Sequence, residues 1–400
     1  MEHDRRRFLQ ALGVTGATVM AGCADEPAGD APSLLGRGIS PYGERSPFEQ
    51  AARRLPDTTT LEEASSRTPL QDLDGMITPS SLHFERHHAG VPRIDPAQHE
   101  LLIHGLVERP LVFTVTELRR LPSISRIYFL ECSGNSSSMW RPAPQPSVQA
   151  GHGLTSCSNW IGVPLSVLLG EVGVRPEGRW FIAEGADACR MSRSIPIEKA
   201  WDDALVAYGQ NGEALRPEQG YPIRLLLPGW EGNTSVKWLR RIKVVDQPVM
   251  ARDETSKYTD LMPDGRARQF TFLMEPKSLI TRPSAGRMLT APGFHEISGI
   301  AWSGSGVIAR VEVSVDGGAT WTDATLQEPV LPKAHTRFTL PWRWDGSERV
   351  IASRCTDGTG HVQPTREALV AARGLNSNYH CHAIQAWRIT ADGRVVDAVA

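Results

Sequence analysis

The sequence predicts an α+β body over residues 70–274, followed by an all-β sandwich of immunoglobulin type over residues 275–400. Three observations carry this. Up to about Asp246, apolar strand-like runs alternate irregularly with short helical patterns, which favours α+β over a doubly wound sheet. From about Glu275 the pattern becomes short alternating runs punctuated by Asp-Gly turns. The chain has 400 residues, 40% hydrophobic and 22% charged, enough for two or three domains with sizeable cores.

Residues 1–27 read as a twin-arginine export signal, which places the mature protein in the periplasm. Arg5-Arg6-Arg7-Phe8-Leu9-Gln10 precedes a weakly apolar stretch, residues 11–20, too short to span a bilayer. Ala21-Gly22-Cys23 is also similar to a lipoprotein cleavage box, so lipidation at Cys23 stands as an alternative to simple cleavage. Residues 28–69, rich in Pro, Gly, Ser and charge, read as a linker that orders by wrapping the body or a partner. Leu101-Leu102-Ile103 and Val112-Phe113-Thr114-Val115 read as strands, and Thr116 as the cap of a short helix through Leu121. Pro164 opens a helix at Leu165 that Gly170 or Gly173 closes. Residues 204–208, the turn Asn211-Gly212 and Ala214-Leu215 make a hairpin, and residues 223–227 and 242–245 are further buried strands.

In the C-terminal part, residues 311–315 alternate cleanly, Asp316-Gly317-Gly318 turns the chain, and Thr320-Trp321-Thr322 begins the return strand. Phe338, Leu340, Trp342 and Trp344 share one face, up to the turn at Asp345-Gly346. Residues 350–356 follow, ending at Asp357-Gly358.

A formal net charge of −2 gives no basic footprint for nucleic acid, and no apolar run is long enough to span a membrane. The cysteines are Cys23, Cys132, Cys157, Cys189, Cys355 and Cys381. With Cys23 lost alongside the signal, five remain. In an oxidising compartment an odd count implies at least one thiol outside an internal disulfide, and a pairing of Cys157 with Cys189 stays open. Neither Cys-x-x-Cys nor Cys-x-x-Cys-His occurs. A four-thiolate centre is therefore not expected, and any haem belongs to another chain.

One thiol stands out. Arg126-Ile127-Tyr128-Phe129-Leu130-Glu131-Cys132-Ser133-Gly134-Asn135-Ser136 reads as a buried strand ended by a sharp turn. Cys132 thus lies where a strand emerges into a loop, a place for chemistry on a rigid scaffold, and a thiolate is a soft ligand for a transition metal. The competing reading is a small buried hydrophobe. Leu130-Glu131-Cys132-Ser133-Gly134-Asn135 resembles the molybdenum-ligating segment, Cys-x-Gly-Asn after a strand, of the sulfite oxidase family. The resemblance runs from about Pro69 to the C-terminus. Within the family it is strongest to the molybdenum subunits of Sox-type sulfane dehydrogenases, on Asn376-Ser377-Asn378-Tyr379-His380 and Ala383-Ile384-Gln385-Ala386-Trp387.

The resemblance implies a sulfite-oxidase-type molybdopterin-binding domain followed by a dimerisation domain, and a molybdenum–molybdopterin cofactor with Cys132 as metal ligand. It also implies a dihaem c-type cytochrome subunit, a homodimer within a heterotetramer, and a sulfur-carrier protein as substrate. In Phe84-Glu85-Arg86-His87-His88, similar to the family's Arg-Asn-His segment, Arg86 takes the place of the arginine that meets the substrate anion. His88 corresponds to the histidine beside metal and pterin, and His87 replaces the usual Asn. Asp187 matches a pterin-contacting aspartate. Gln219, where many members carry His, and Arg224 match the segment that grips the cofactor phosphate. Ser235, Val236 and Lys237 match the pterin loop. Tyr258 corresponds to the active-site phenol, and Arg373 to an arginine reaching the substrate pocket.

Ser136 and Ser137 stand where sulfite oxidases carry arginines, which implies a roomier, less cationic pocket. That suits sulfane sulfur on a carrier cysteine better than free sulfite. A free-sulfite dehydrogenase is the nearest alternative. Further off are a reductase of methionine sulfoxide, a hydrolase with Cys132 as nucleophile and a non-catalytic exported binding protein.

Overall fold

The computed structural model describes residues 38–56, 60, 64–141 and 143–398. The expected export signal and Cys23 lie outside the described residues. Residues 38–50, the described part of a first unit, contain no strand or helix and are exposed throughout. Residues 51–400 form the second, compact unit. Part of the expected linker belongs to it: Ser65–Ser66 pairs antiparallel with Glu85–Arg86, and Arg54 and Arg67 exchange backbone hydrogen bonds of 3.0 and 2.9 Å.

Two five-stranded sheets build the α+β part. In the first, Ile124–Glu131, Thr155–Pro164 and Leu205–Gln210 lie side by side, and both Glu213–Ala214 and Arg224–Leu226 pair with Leu205–Gln210. In the second, the order is Leu111–Thr114, Glu100–Gly105, Leu239–Val245, Trp180–Gly185 and Ser192–Pro196, with a single parallel pair, Leu239–Val245 on Glu100–Gly105. Leu101, Ile103, Phe181 and Ile242 from the second sheet meet Val163, Val206 and Leu225 from the first. The helix Leu165–Val172 packs Leu165, Leu168 and Leu169 into the same core, and Gly173 caps it with a left-handed backbone. The other short helix differs from expectation. It spans Val115–Leu118, and its cap is Thr114, whose hydroxyl accepts from the Glu117 N–H while the Glu117 carboxylate accepts from the Thr114 N–H. Thr114 ends a strand and so has the extended backbone a cap needs; Thr116 is already inside the turn.

The C-terminal part is a sandwich of two antiparallel sheets. Lys277–Arg282, Gly293–Trp302, Thr336–Trp344 and Thr325–Leu326 form one; Thr322–Asp323, Ile308–Ser314, Arg349–Asp357, Ala386–Ile389 and Val395–Asp397 form the other. Leu279, Ile300 and Phe338 pack with Val311, Ile351 and Trp387 in one core between them, as in immunoglobulin-type sandwiches. A helix, Arg366–Arg373, interrupts this all-β region. All five described cysteines are free, so Cys157 and Cys189 are not paired. No described helix is long and apolar enough to cross a membrane.

Three histidines, His83 and His152 in the α+β part and His335 in the sandwich, are buried, and burial pulls each down to about 3. Their folded values lie below the unfolded 6.5, so below that pH the unfolded chain binds more protons. Stability is present above pH 6.5 and is lost as pH falls towards 3. Each histidine contributes up to about 1.4 kcal/mol per pH unit. Urea unfolding is expected to show a loss of roughly 6 kcal/mol between pH 7 and pH 5. A loss under about 2 kcal/mol would mean that these rings are charged in the folded protein.

Candidate active site

The strand Ile124–Glu131 delivers Cys132 to the floor of a cleft. Its loop is clamped by Asn135. The Asn135 Nδ2 donates to Glu131 Oε1 at 2.9 Å, its Oδ1 accepts from the Leu154 N–H at 3.2 Å, and its N–H donates to the Cys132 carbonyl at 2.8 Å. Gly232 lets the facing loop close over this one, since a Cβ there would lie 2.8 Å from the Glu131 carbonyl oxygen. Burial raises the Cys132 thiol above its ordinary value, with Arg86 opposing.

One wall is the segment Phe84 to His88. The Arg86 guanidinium donates to the His87 carbonyl at 2.6 Å and pairs with no carboxylate among the described residues. His87, in the place of the usual Asn, holds Lys237: its Nδ1 lies 2.6 Å from Lys237 Nζ and its Nε2 lies 2.7 Å from Glu85 Oε2. An ammonium can only donate, so Nδ1 accepts and the ring's proton sits on Nε2, facing Glu85. Glu85 in turn pairs with Arg53. Across the cleft, His88 Nε2 lies 3.1 Å from the Tyr258 hydroxyl. Burial, and next the neighbouring sulfur, push the Tyr258 phenol well above its usual range, so it keeps its proton. The buried Arg193 guanidinium stacks on that phenol at 4.7 Å and is held by Glu231 and Glu254 at 3.1 and 3.0 Å.

At the deep end, two basic side chains have no carboxylate within ion-pair distance among the described residues, although Glu85, Asp187 and Glu218 act on Lys237 from further off. Arg224 is buried over the Trp160 ring and donates to the carbonyls of Gln219 and Ser235 at 3.1 and 2.8 Å, but to no carboxylate. Burial lowers it to about 9. Lys237 donates to the carbonyls of Arg86 and Glu218, each at 3.0 Å, and burial, with Arg224 next, pulls it well below its ordinary value. Gly220, at φ 105°, fits between them: a Cβ there would come within 3.1 Å of both side chains. Arg224 is buried and Lys237 half-buried, and an anion placed between two such like charges would offset their repulsion.

Around this end, Gln219 Nε2 donates to the Phe84 carbonyl at 2.9 Å, and Ser235 Oγ accepts from the Leu227 N–H at 3.0 Å. Val236 lines the same wall. Asp187 accepts from the Met191 N–H at 3.1 Å and from the Cys189 thiol at 2.8 Å, and burial, then Asp187, push that thiol up to about 12. The Asn233 Oδ1, buried in the lining, has no partner.

These features fit a pterin-held molybdenum. There is a soft thiol for the metal, a buried orphan acceptor for pterin N–H groups, and two cations for a phosphate. The space between the walls, counting its open mouth, is about 660 Å³.

Eleven residues singled out in the sequence line this one cleft: Cys132, Arg86, His87, His88, Asp187, Gln219, Arg224, Ser235, Val236, Lys237 and Tyr258. Arg373 does not. It ends the unexpected helix and faces Glu275, with 3.3 Å between Nη2 and Oε2. Ser136 and Ser137 do not line it either. Ser136 Oγ is buried against Lys277 Nζ and His152 Nδ1, each at 2.6 Å, while Ser137 faces solvent. Sequence reasoning assigned no role to Met191, Arg193 or Glu231. A fully buried arginine such as Arg193 leaves no local pattern in a strand.

Two family models match in chain order, one described as Oxidoreductase molybdopterin binding domain over residues 88–252, the other as Mo-co oxidoreductase dimerisation domain over residues 268–386. Sulfite oxidase from Gallus gallus is 32% identical over 313 residues, 72% of this chain and 68% of that protein. An NADH nitrate reductase from Brassica napus is 34% identical over 305 residues, 68% of this chain and 33% of that protein. The chain thus spans about a third of the length of the nitrate reductases it matches. Among solved structures, the sulfane dehydrogenase SoxCD from Paracoccus pantotrophus matches with a TM-score of 0.89 and 48% identity, covering 91% of this chain and 95% of the matched chain.

Proposed function

Since this chain belongs to the sulfite oxidase family of molybdenum oxidoreductases, we propose that it is an exported sulfane dehydrogenase. In this reading it oxidises sulfane sulfur held on a carrier protein's cysteine and passes the electrons to a c-type cytochrome subunit. The observation that carries the reading is a soft thiol at the floor of a cleft whose deep-end cations, Arg224 and Lys237, have no carboxylate within ion-pair distance. The molybdenum–pterin group would supply two-electron oxygen-atom transfer to sulfur.

The chain's own residues supply the rest. Cys132 would hold the metal, Arg224 and Lys237 the cofactor's phosphate, and Asn233 and Asp187 the pterin edge. Arg86, bonded on one side only to a backbone carbonyl, orients the anionic end of the substrate. Tyr258 keeps its proton and shares a hydrogen bond with His88, so the pair can donate to, or carry a proton from, the reacting sulfur's oxygen. The cations of the lining are Arg86, Arg224 and Lys237, and the last two face the cofactor's end. A single arginine for the substrate favours a monoanionic or tethered sulfur over a free dianion. The twin-arginine signature supports export and a periplasmic location, and the SoxCD likeness supports a cytochrome partner. The dimerisation domain supports a homodimer within the complex.

Substrate choice separates this from a free-sulfite dehydrogenase. With its cytochrome partner, the enzyme is expected to show a kcat/KM on a persulfidated carrier at least about tenfold above that on sulfite, a difference of about 1.4 kcal/mol in the transition state. The opposite order selects the sulfite dehydrogenase.

A further inference from the structure

We propose that Glu275, His361 and His382 form a second metal site, in the β-sandwich and outside the cleft, that takes a first-row divalent cation, zinc by its donor set. One ligand atom from each lies within 4.8 Å of those of the other two. Two imidazoles and one carboxylate are borderline donors that suit zinc. Bonds of about 2.0–2.2 Å need the three atoms drawn together by roughly 1 Å, a rotation available to the exposed His361.

The scaffold beneath is rigid. Glu275 lies two residues before the strand Lys277–Arg282, His361 follows the turn after Arg349–Asp357, and His382 precedes Ala386–Ile389. One buried glutamine ties these three segments. The Gln363 amide accepts from the Ser278 N–H at 2.9 Å and donates to the Ala383 carbonyl at 3.2 Å, while its backbone N–H donates to the Cys355 carbonyl at 2.9 Å. Ser278 is three residues from Glu275, Ala383 is next to His382, and Gln363 is two from His361. Such an under-layer holds ligands in place in built metal sites. His382 is also oriented, its Nδ1 lying 3.0 Å from the His380 carbonyl and 3.0 Å from Glu275 Oε2.

Arg373 shares that same carboxylate oxygen, and its Nη1 is buried without an acceptor. The cation therefore competes with a guanidinium for Glu275. The result is a reversible site with an open coordination position, unlike a closed structural zinc.

The test uses molybdenum-replete protein with its partner, stripped of loose metal by chelator, so that Cys132 is already engaged. Equilibrium dialysis against zinc chloride is expected to give one zinc per chain. Affinity should fall at least about tenfold in His361→Ala, whose exposed side chain makes folding secure, and in Glu275→Gln. Zinc should raise the Tm of the parent and leave that of His361→Ala unmoved, and magnesium should do neither. Failure to bind zinc, or binding by both variants with the parent's affinity, overturns the proposal.

Discussion

Cys132→Ser is expected to cut turnover by about 10³-fold or more, at least about 4 kcal/mol of transition-state stabilisation, with little effect on the fold. A serine hydroxyl is hard and holds its proton far more tightly than a thiol, so it is a poor substitute ligand for a soft-bound metal. The exchange is close to isosteric at a partly open cleft floor. Its cost to folding should stay within about 1 kcal/mol. A second readout does not depend on turnover. Burial, opposed mainly by Arg86, leaves the free Cys132 as a neutral thiol at neutral pH, so seating a metal on it must expel a proton. Cofactor loading of the parent in weak buffer should release that proton, and loading of the serine variant should not. A serine variant with undiminished molybdenum and turnover would remove Cys132 from the centre of the account.

The residues around Cys132 were readable because their signals are local. An apolar run has to be buried, and Gly134-Asn135 has to turn, so the strand and its exit follow from adjacent residues. The turn's second function is not local. Asn135 ties Glu131 to Leu154, which immediately precedes another strand, Thr155–Pro164. Side-chain direction was the main thing hidden. Ser136 has a left-handed backbone, φ 63°, that turns its hydroxyl towards Lys277 and His152. The inference of a roomier pocket from the missing arginines therefore does not rest on where that side chain points. Arg373 was misplaced for a similar reason. Thr365, the Ala368 N–H it caps and Gly374 mark a helix, but the surrounding turn-punctuated strands suggested continuing β-structure. Once that helix forms, Arg373 ends against Glu275.

His87 shows the opposite case. The sequence showed only that a ring replaces an amide there. The structure gives the ring a defined task, accepting from Lys237 on one side while fixed by Glu85 on the other. A neutral imidazole offers one donor and one acceptor, and here both are used.

Lys277→Met is expected to destabilise the protein by about 3–5 kcal/mol, far more than a surface lysine would. No local pattern announces this residue, because a lysine opening a strand is ordinarily exposed and its partner lies 146 residues away. Both members are 1% exposed, with Lys277 Nζ 3.1 Å from Glu131 Oε1. The carboxylate also accepts from Asn135 at 2.9 Å and from the Trp302 indole N–H at 2.7 Å. Without Lys277 it would be a buried charge with two neutral donors, which is the costly situation; the pair itself contributes much less. The double variant Glu131→Gln with Lys277→Met should therefore recover most of the loss, with a coupling of about 2 kcal/mol or more in a double-mutant cycle. The same contact reaches the chemistry. Lys277 opens the first sandwich strand, Glu131 immediately precedes Cys132, and Asn135 hangs from Glu131, so the sandwich fixes the loop that presents the thiol. Molybdenum content should accordingly fall in Lys277→Met and return in the double variant, measured beside urea unfolding of each protein. A coupling below about 0.5 kcal/mol, with molybdenum content unchanged, would mean that the Cys132 loop keeps its shape without the sandwich.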